Sequence, residues 1–170
     1  MENLELFILH FGYFAVFTFL ALGIFGLPMP DEVVVTSVGF FTSNGTLHYS
    51  IALPITILGV FIGTLLTFYI GKWIGKPLLR KGGRWIGIKD QSIQTTEGWI
   101  KKHGPITVLF GFFIPGMRHI ICYISGMGGM KTKTYLLYVL IGASVSTIIY
   151  LTLGYYIGIP FLHPGGEVID

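Results

Sequence analysis

Of the 170 residues, 52% are hydrophobic and only 11% charged, with a mean hydropathy of +0.74 and a formal net charge of +3. Soluble domains carry about a quarter charged residues, so this composition excludes a water-solvated fold and points to one compact membrane domain. The net charge says little until the charges are placed, and no nucleic-acid partner is expected. The single Cys122 excludes an internal disulfide, and the histidines and acids show no metal-ligand spacing.

The first residues are acidic rather than basic and lead to no small-residue cleavage site, so the first apolar run is expected to stay as a membrane helix. Residues 6–25 supply about twenty apolar positions, enough to cross a hydrocarbon core of about 30 Å. The run breaks at Leu27-Pro-Met-Pro-Asp-Glu32, because Pro28 and Pro30 lack a donor and restrict the residues before them. Val33 to Phe41 is apolar but too short to span, and a polar turn follows to Ser50. Residues 27–50 therefore read as a re-entrant hairpin, tolerated at membrane depth only where protein covers it or a cavity receives it.

Residues 51–75 form a second span. The segment 76–104 is the extended polar region, and eight of the eleven Lys/Arg fall between Lys72 and Lys102. Interleaved Trp and Ile make it an amphipathic interfacial segment, and its positive charge places it in the cytoplasm. It is also suited to anionic lipid heads, although topology alone accounts for its charge. Residues 105–130 repeat the hairpin theme, broken at Pro115 and Gly116. Residues 134–158 form a third span, and 159–170 read as a polar tail without recognisable chemistry. Counting back from the basic loop puts the N-terminus in the cytoplasm and opens the two hairpins to opposite sides.

The two long spans align without a gap at an offset of 83 residues: Gly59, Gly71 and Gly75 match Gly142, Gly154 and Gly158, Thr64 matches Thr147, and Gly63 becomes Ser146. The hairpin elements correspond less neatly, with a slip of two or three residues. Glycine and threonine are common in membrane helices, so some matches arise by chance. Three glycines at one spacing, each set preceded by a proline-broken hairpin, favour true repetition. Such repeats of opposite orientation, with broken helices at the midplane, are a recurring plan of transporters.

Ionisable side chains at membrane depth cost roughly 2.5–3.5 kcal/mol and usually mark function. Asp31 and Glu32 suit the positive end of a helix and read either as caps or as carboxylates that bind a proton or a substrate cation. Arg118 opposes that dipole, so it reads either as a snorkelling side chain or as the centre of an anion site with free backbone N–H groups. His119, beside it, reads as a donor or proton carrier, or as a packed neutral ring. No nucleophile–base pair or phosphate-loop motif is present, so an enzyme is not expected.

The stretch Phe110-Gly-Phe-Phe-Ile-Pro-Gly-Met-Arg118, the following Ser125-Gly-Met-Gly-Gly-Met130, Leu27–Glu32 and the glycine-spaced spans resemble the DedA family, whose shared region is also called the VTT or SNARE-associated domain. The likeness covers about residues 20–158. It implies two opposed re-entrant hairpins and movement of lipids between leaflets, with undecaprenyl phosphate and phosphatidylethanolamine among family substrates and a proton gradient used by some members. Family members usually carry a second arginine where this chain has Gly111, and acids where Gly23 and Thr64 stand. Only Glu32 and Arg118 carry over.

The expected protein is thus an all-α integral membrane protein of the bacterial plasma membrane. It combines an N-terminal transmembrane helix, a cytoplasmic amphipathic segment and an inverted repeat of two re-entrant hairpins, each followed by a span. Arg118 would hold a phosphate and Glu32, with Asp31, would receive an ammonium or relay a proton, both within one interior chamber. No cofactor is expected. One cation with one or two acids suits a zwitterionic head, so phosphatidylethanolamine is the preferred substrate and polyprenyl phosphate the alternative. A non-transporting scaffold is the other reading, and a homo-oligomer is compatible with all three. Close packing at Gly59, Gly63 and Gly142 would let the repeats rock.

Overall fold

The computed structural model describes residues 2–22, 31–75, 98, 102, 104–114 and 117–162, and they contain helices and turns without a strand. In chain order the helices are α1 (Glu2–Leu22), α2 (Asp31–Ser43), α3 (Tyr49–Ile70, continued by a π-helical turn Gly71–Gly75), α4 (Ile106–Gly111), α5 (Met117–Met127) and α6 (Thr132–Leu162). Among the described residues, two stretches are long and apolar enough to cross a membrane: Tyr49–Ile74, with 26 residues, and Thr132–Ile159, with 28.

Several boundaries differ from those expected. The tail expected at 159–170 begins as helix, since α6 continues through Pro160 to Leu162. Within the expected span 6–25 the described helix α1 reaches Leu22, and residues 23–25 lie outside the described residues. Segment 27–50 contributes one helix, α2, before a turn at Gly45 and the start of α3, whereas 105–130 contributes two. Pro28, Pro30, Pro115 and Gly116 lie outside the described residues, as does nearly all of the basic segment 76–104.

The chain divides into two compact units. The first holds α1, α2, the N-terminal part of α3 and the C-terminal part of α6; the second holds the rest of α3, α4, α5 and the start of α6. In the first unit α2 and α6 run side by side in the same direction at backbone contact. A Cβ on Gly39 would collide with the Leu151 carbonyl, one on Gly154 with the Thr36 carbonyl, and one on Gly158 with the Ser43 hydroxyl. In the second unit α5 lies on α3 in the same way, Gly126 meeting the Phe68 carbonyl and Gly71 the Tyr123 carbonyl.

These contacts are counterparts. Phe68 and Gly71 stand 83 residues before Leu151 and Gly154, while Thr36 and Gly39 stand 87 before Tyr123 and Gly126. The short helices are therefore displaced by four residues relative to the long ones, more than the two or three expected. In this register Asp31 is the counterpart of Arg118, and Glu32 of His119. Each short helix leans on the long helix from the other half of the chain. Glycine permits this because, without a hydrophobic driving force in lipid, helices associate through close van der Waals contact.

Polar side chains on these helices bond back to their own backbone. Thr36 donates to the Glu32 carbonyl at 2.7 Å, Thr42 to Gly39 at 2.6 Å, Thr64 to Phe61 at 2.9 Å and Thr67 to Gly63 at 2.9 Å. Internal satisfaction of this kind is what an apolar solvent demands. Helix α5 ends in a Schellman turn: the Met130 N–H donates to the Ser125 carbonyl and the Gly129 N–H to Gly126, with Gly129 at φ 75°.

Candidate functional site

Helices α2 and α5 begin with opposite charges. Asp31 and Glu32 are the first two residues of α2 and are buried, and the Glu32 Oε2 atom has no hydrogen-bond partner within the protein. They suit the positive end of the α2 dipole. Both belong to the first unit. Arg118 and His119, the second and third residues of α5, belong to the second.

Arg118 is 4% exposed, which removes the snorkelling reading, since a snorkelling guanidinium keeps its head in water. Its guanidinium carbon lies 5.8 Å from the centroid of the Phe112 ring. One turn further along α5, Cys122 is buried. The Tyr135 hydroxyl donates to the Thr64 carbonyl at 2.8 Å. The Tyr135 ring is stacked on Phe68 with centroids 3.9 Å apart. Arg118 is within electrostatic range of both Cys122 and Tyr135. The cation thus stands among aromatic and weakly polar groups in the first turn of a helix, where backbone N–H groups lack intrahelical partners.

His119 is half-buried, and its Nδ1 lies 3.2 Å from the Thr67 hydroxyl. Thr67 already donates its proton to Gly63, so Nδ1 carries the hydrogen and donates to Thr67. Lys72, in the π-helical turn, donates to the Thr132 hydroxyl at 3.1 Å and anchors the start of α6.

The glycines have separate partners. Gly59 receives Leu20 and the Phe17 backbone of α1, whereas its counterpart Gly142 receives the ring of Phe112. Gly63 is buried, and Gly75 closes the π-helical turn. Gly111, where the resemblance implies an arginine, is occupied from the side by Ile121, whose Cδ1 would stand 2.7 Å from a Cβ there. Sequence reasoning did not single out Phe112, Tyr135 or Thr67. Phe112 lies inside the quoted motif, but nothing in the spacing says which glycine or cation it faces.

Residues 27–156 match the family model of the VTT domain. The chain belongs to the VTT-domain (DedA) family. Among VTT-domain relatives, the uncharacterized membrane protein YbfM of Bacillus subtilis (strain 168) is 43% identical over 159 residues, covering 94% of this chain and 98% of YbfM. Undecaprenyl phosphate transporter A of the same organism is 28% identical over 139 residues, covering 82% of this chain and 70% of the transporter. An alkaline phosphatase-like protein of Lactococcus lactis subsp. lactis is 28% identical over 153 residues, covering 87% and 72%. No solved structure gives a significant match. With two apolar helices of spanning length and relatives named as membrane proteins, this VTT-domain chain is a bacterial membrane protein.

Proposed function

We propose that the protein carries a phosphate-headed lipid, a polyprenyl phosphate before any other, between the leaflets of the bacterial plasma membrane. The observation that carries this reading is the buried guanidinium of Arg118 in the first turn of α5. A helix start favours an anion, and a guanidinium in the same turn adds charge-assisted donors suited to phosphate oxygens. A lipid phosphate could reach both while its chains remain in the bilayer.

The Arg118 guanidinium and the N–H groups of the first turn of α5 would hold the phosphate oxygens. His119, whose Nδ1 hydrogen goes to Thr67, would add a second donor at Nε2 only in its protonated form. Asp31 and Glu32, at the counterpart positions of α2, would take a proton as the head is released. In this scheme the two short helices are the inner arms of opposed re-entrant hairpins, the repeat is inverted across the membrane, and both the N-terminus and the basic segment are cytoplasmic.

The charge inventory alone favours phosphatidylethanolamine, since Asp31 and Glu32 offer an ammonium a partner. Two relatives named as undecaprenyl phosphate transporters, from Bacillus subtilis and Staphylococcus aureus, move the weight to the polyprenyl phosphate. We infer no enzymatic step, and neither scaffolding nor binding of anionic lipid by the basic segment is needed to explain the site.

The test is reconstitution into vesicles with fluorescent short-chain polyprenyl phosphate and, separately, fluorescent phosphatidylethanolamine, each with and without a pH gradient. Transfer of the polyprenyl phosphate, lost in Arg118→Ala at equal protein content, is the expected result. Transfer of phosphatidylethanolamine alone would restore the earlier preference. Release of inorganic phosphate would make the protein a phosphatase. Indifference to Arg118→Ala, with loss of a cellular role on neutralising Arg80 to Lys102, would make it a scaffold.

A further inference from the structure

Gly59 and Gly142 hold the same place in the two long helices, yet they are used differently. In the first unit Gly59 lets α1 approach, with the Leu20 Cβ 3.0 Å and the Phe17 carbonyl 3.2 Å from where a side chain would start. In the second unit the space at Gly142 is filled by an aromatic ring: Phe112 Cδ2 would lie 2.6 Å from a Cβ, and Cε2 and Cγ 3.1 Å. The ring is 1% exposed and cannot retreat into solvent. The turn that carries it is fixed by hydrogen bonds from the Phe112 N–H to Leu109 and the Phe113 N–H to Phe110.

The difference tracks the charge at the start of the short helix. Arg118 places its guanidinium over the Phe112 ring, while its counterpart in the first unit is the carboxylate of Asp31. An aromatic face attracts a cation and offers nothing to a carboxylate, and the attraction grows when the cation is removed from water. The ring occurs in the unit that has a cation to face.

Resting on the lipid-phosphate reading above, we propose that Phe112 is a positioning residue for Arg118, seated by the missing side chain of Gly142, and that this seat sets how tightly the second unit holds an anionic lipid head. Phe112 itself touches no substrate. It fixes the guanidinium so that less orientational freedom is lost when the phosphate arrives, and preorganisation of this kind appears in affinity rather than in maximal rate.

The experiment measures transfer of fluorescent short-chain polyprenyl phosphate in vesicles as its mole fraction is varied, for Phe112→Leu, Phe112→Tyr, Gly142→Ala, the double variant Phe112→Leu/Gly142→Ala, and Arg118→Ala. Phe112→Leu keeps an apolar side chain but loses the ring face, and should raise the half-saturating mole fraction roughly two- to thirtyfold with a smaller change in maximal rate. Phe112→Tyr should restore it. Gly142→Ala, which displaces the ring, should act in the same direction, and the double variant should be no worse than Phe112→Leu alone, because both changes break one contact. Should Phe112→Leu fail to accumulate, Gly142→Ala and Phe112→Tyr decide the matter. Loss of transfer in Arg118→Ala with unchanged half-saturation in Phe112→Leu and Gly142→Ala overturns the positioning role and spares the transport reading. Normal transfer in Arg118→Ala overturns both.

Discussion

The carbonyl oxygen of Thr36 occupies the space in which a side chain on Gly154 would begin. Tyr123 stands in the same relation to Gly71 in the other unit. Neither neighbour is a flexible side chain that could swing aside, since both are helix backbone. Gly154→Leu and Gly71→Leu should therefore each cost about 1–3 kcal/mol or more through overpacking, visible as a lower melting temperature in detergent and reduced membrane abundance. Gly12→Ala is the control: a Cβ there meets only Leu47 at 3.6 Å, an ordinary contact, and should be tolerated.

The Tyr135 hydroxyl joins two helices, donating from α6 to the Thr64 carbonyl of α3 at 2.8 Å. Tyr135→Phe keeps the stack on Phe68 and removes only that link, so a loss of about 1 kcal/mol is expected. Tyr135→Ala also removes the ring from a fully buried place and should cost about 3–5 kcal/mol. Denaturation monitored in detergent distinguishes the two sizes of effect.

Glu32→Gln preserves the shape of the side chain and removes its charge. If Glu32 serves only the α2 dipole, stability should fall by about 0.3–1 kcal/mol and transfer should be unchanged. On the proton-carrying reading the variant should accumulate normally and transfer lipid at least about tenfold more slowly, an activation difference of about 1.4 kcal/mol. Vesicle transfer rates at matched protein content separate these outcomes, and a rate within a factor of two of wild type rules out the proton role.

Much of the fold was legible because lipid imposes simple rules. Apolar length revealed the two long spans, expected at 51–75 and 134–158. Arg118 and the acidic pair were visible because charges in such a chain are few. Phe112 and Tyr135 were not, because a Phe or Tyr in a membrane chain of 15% aromatic residues carries no sign of what it faces.

The sequence by itself determined that the chain belongs in a membrane, that it is helical, and that opposite charges open the two short helices. Those properties follow from composition and periodicity, which act on neighbouring residues. Only the tertiary structure decided that α2 pairs with α6 and α5 with α3, that the register of the short helices differs by four residues from that of the long ones, and that Gly59 and Gly142 serve different neighbours. Residues as far apart as Thr36 and Gly154 meet because two helices can approach to backbone contact only where both offer glycine at the crossing, a condition that exists in three dimensions and leaves no local trace in the chain.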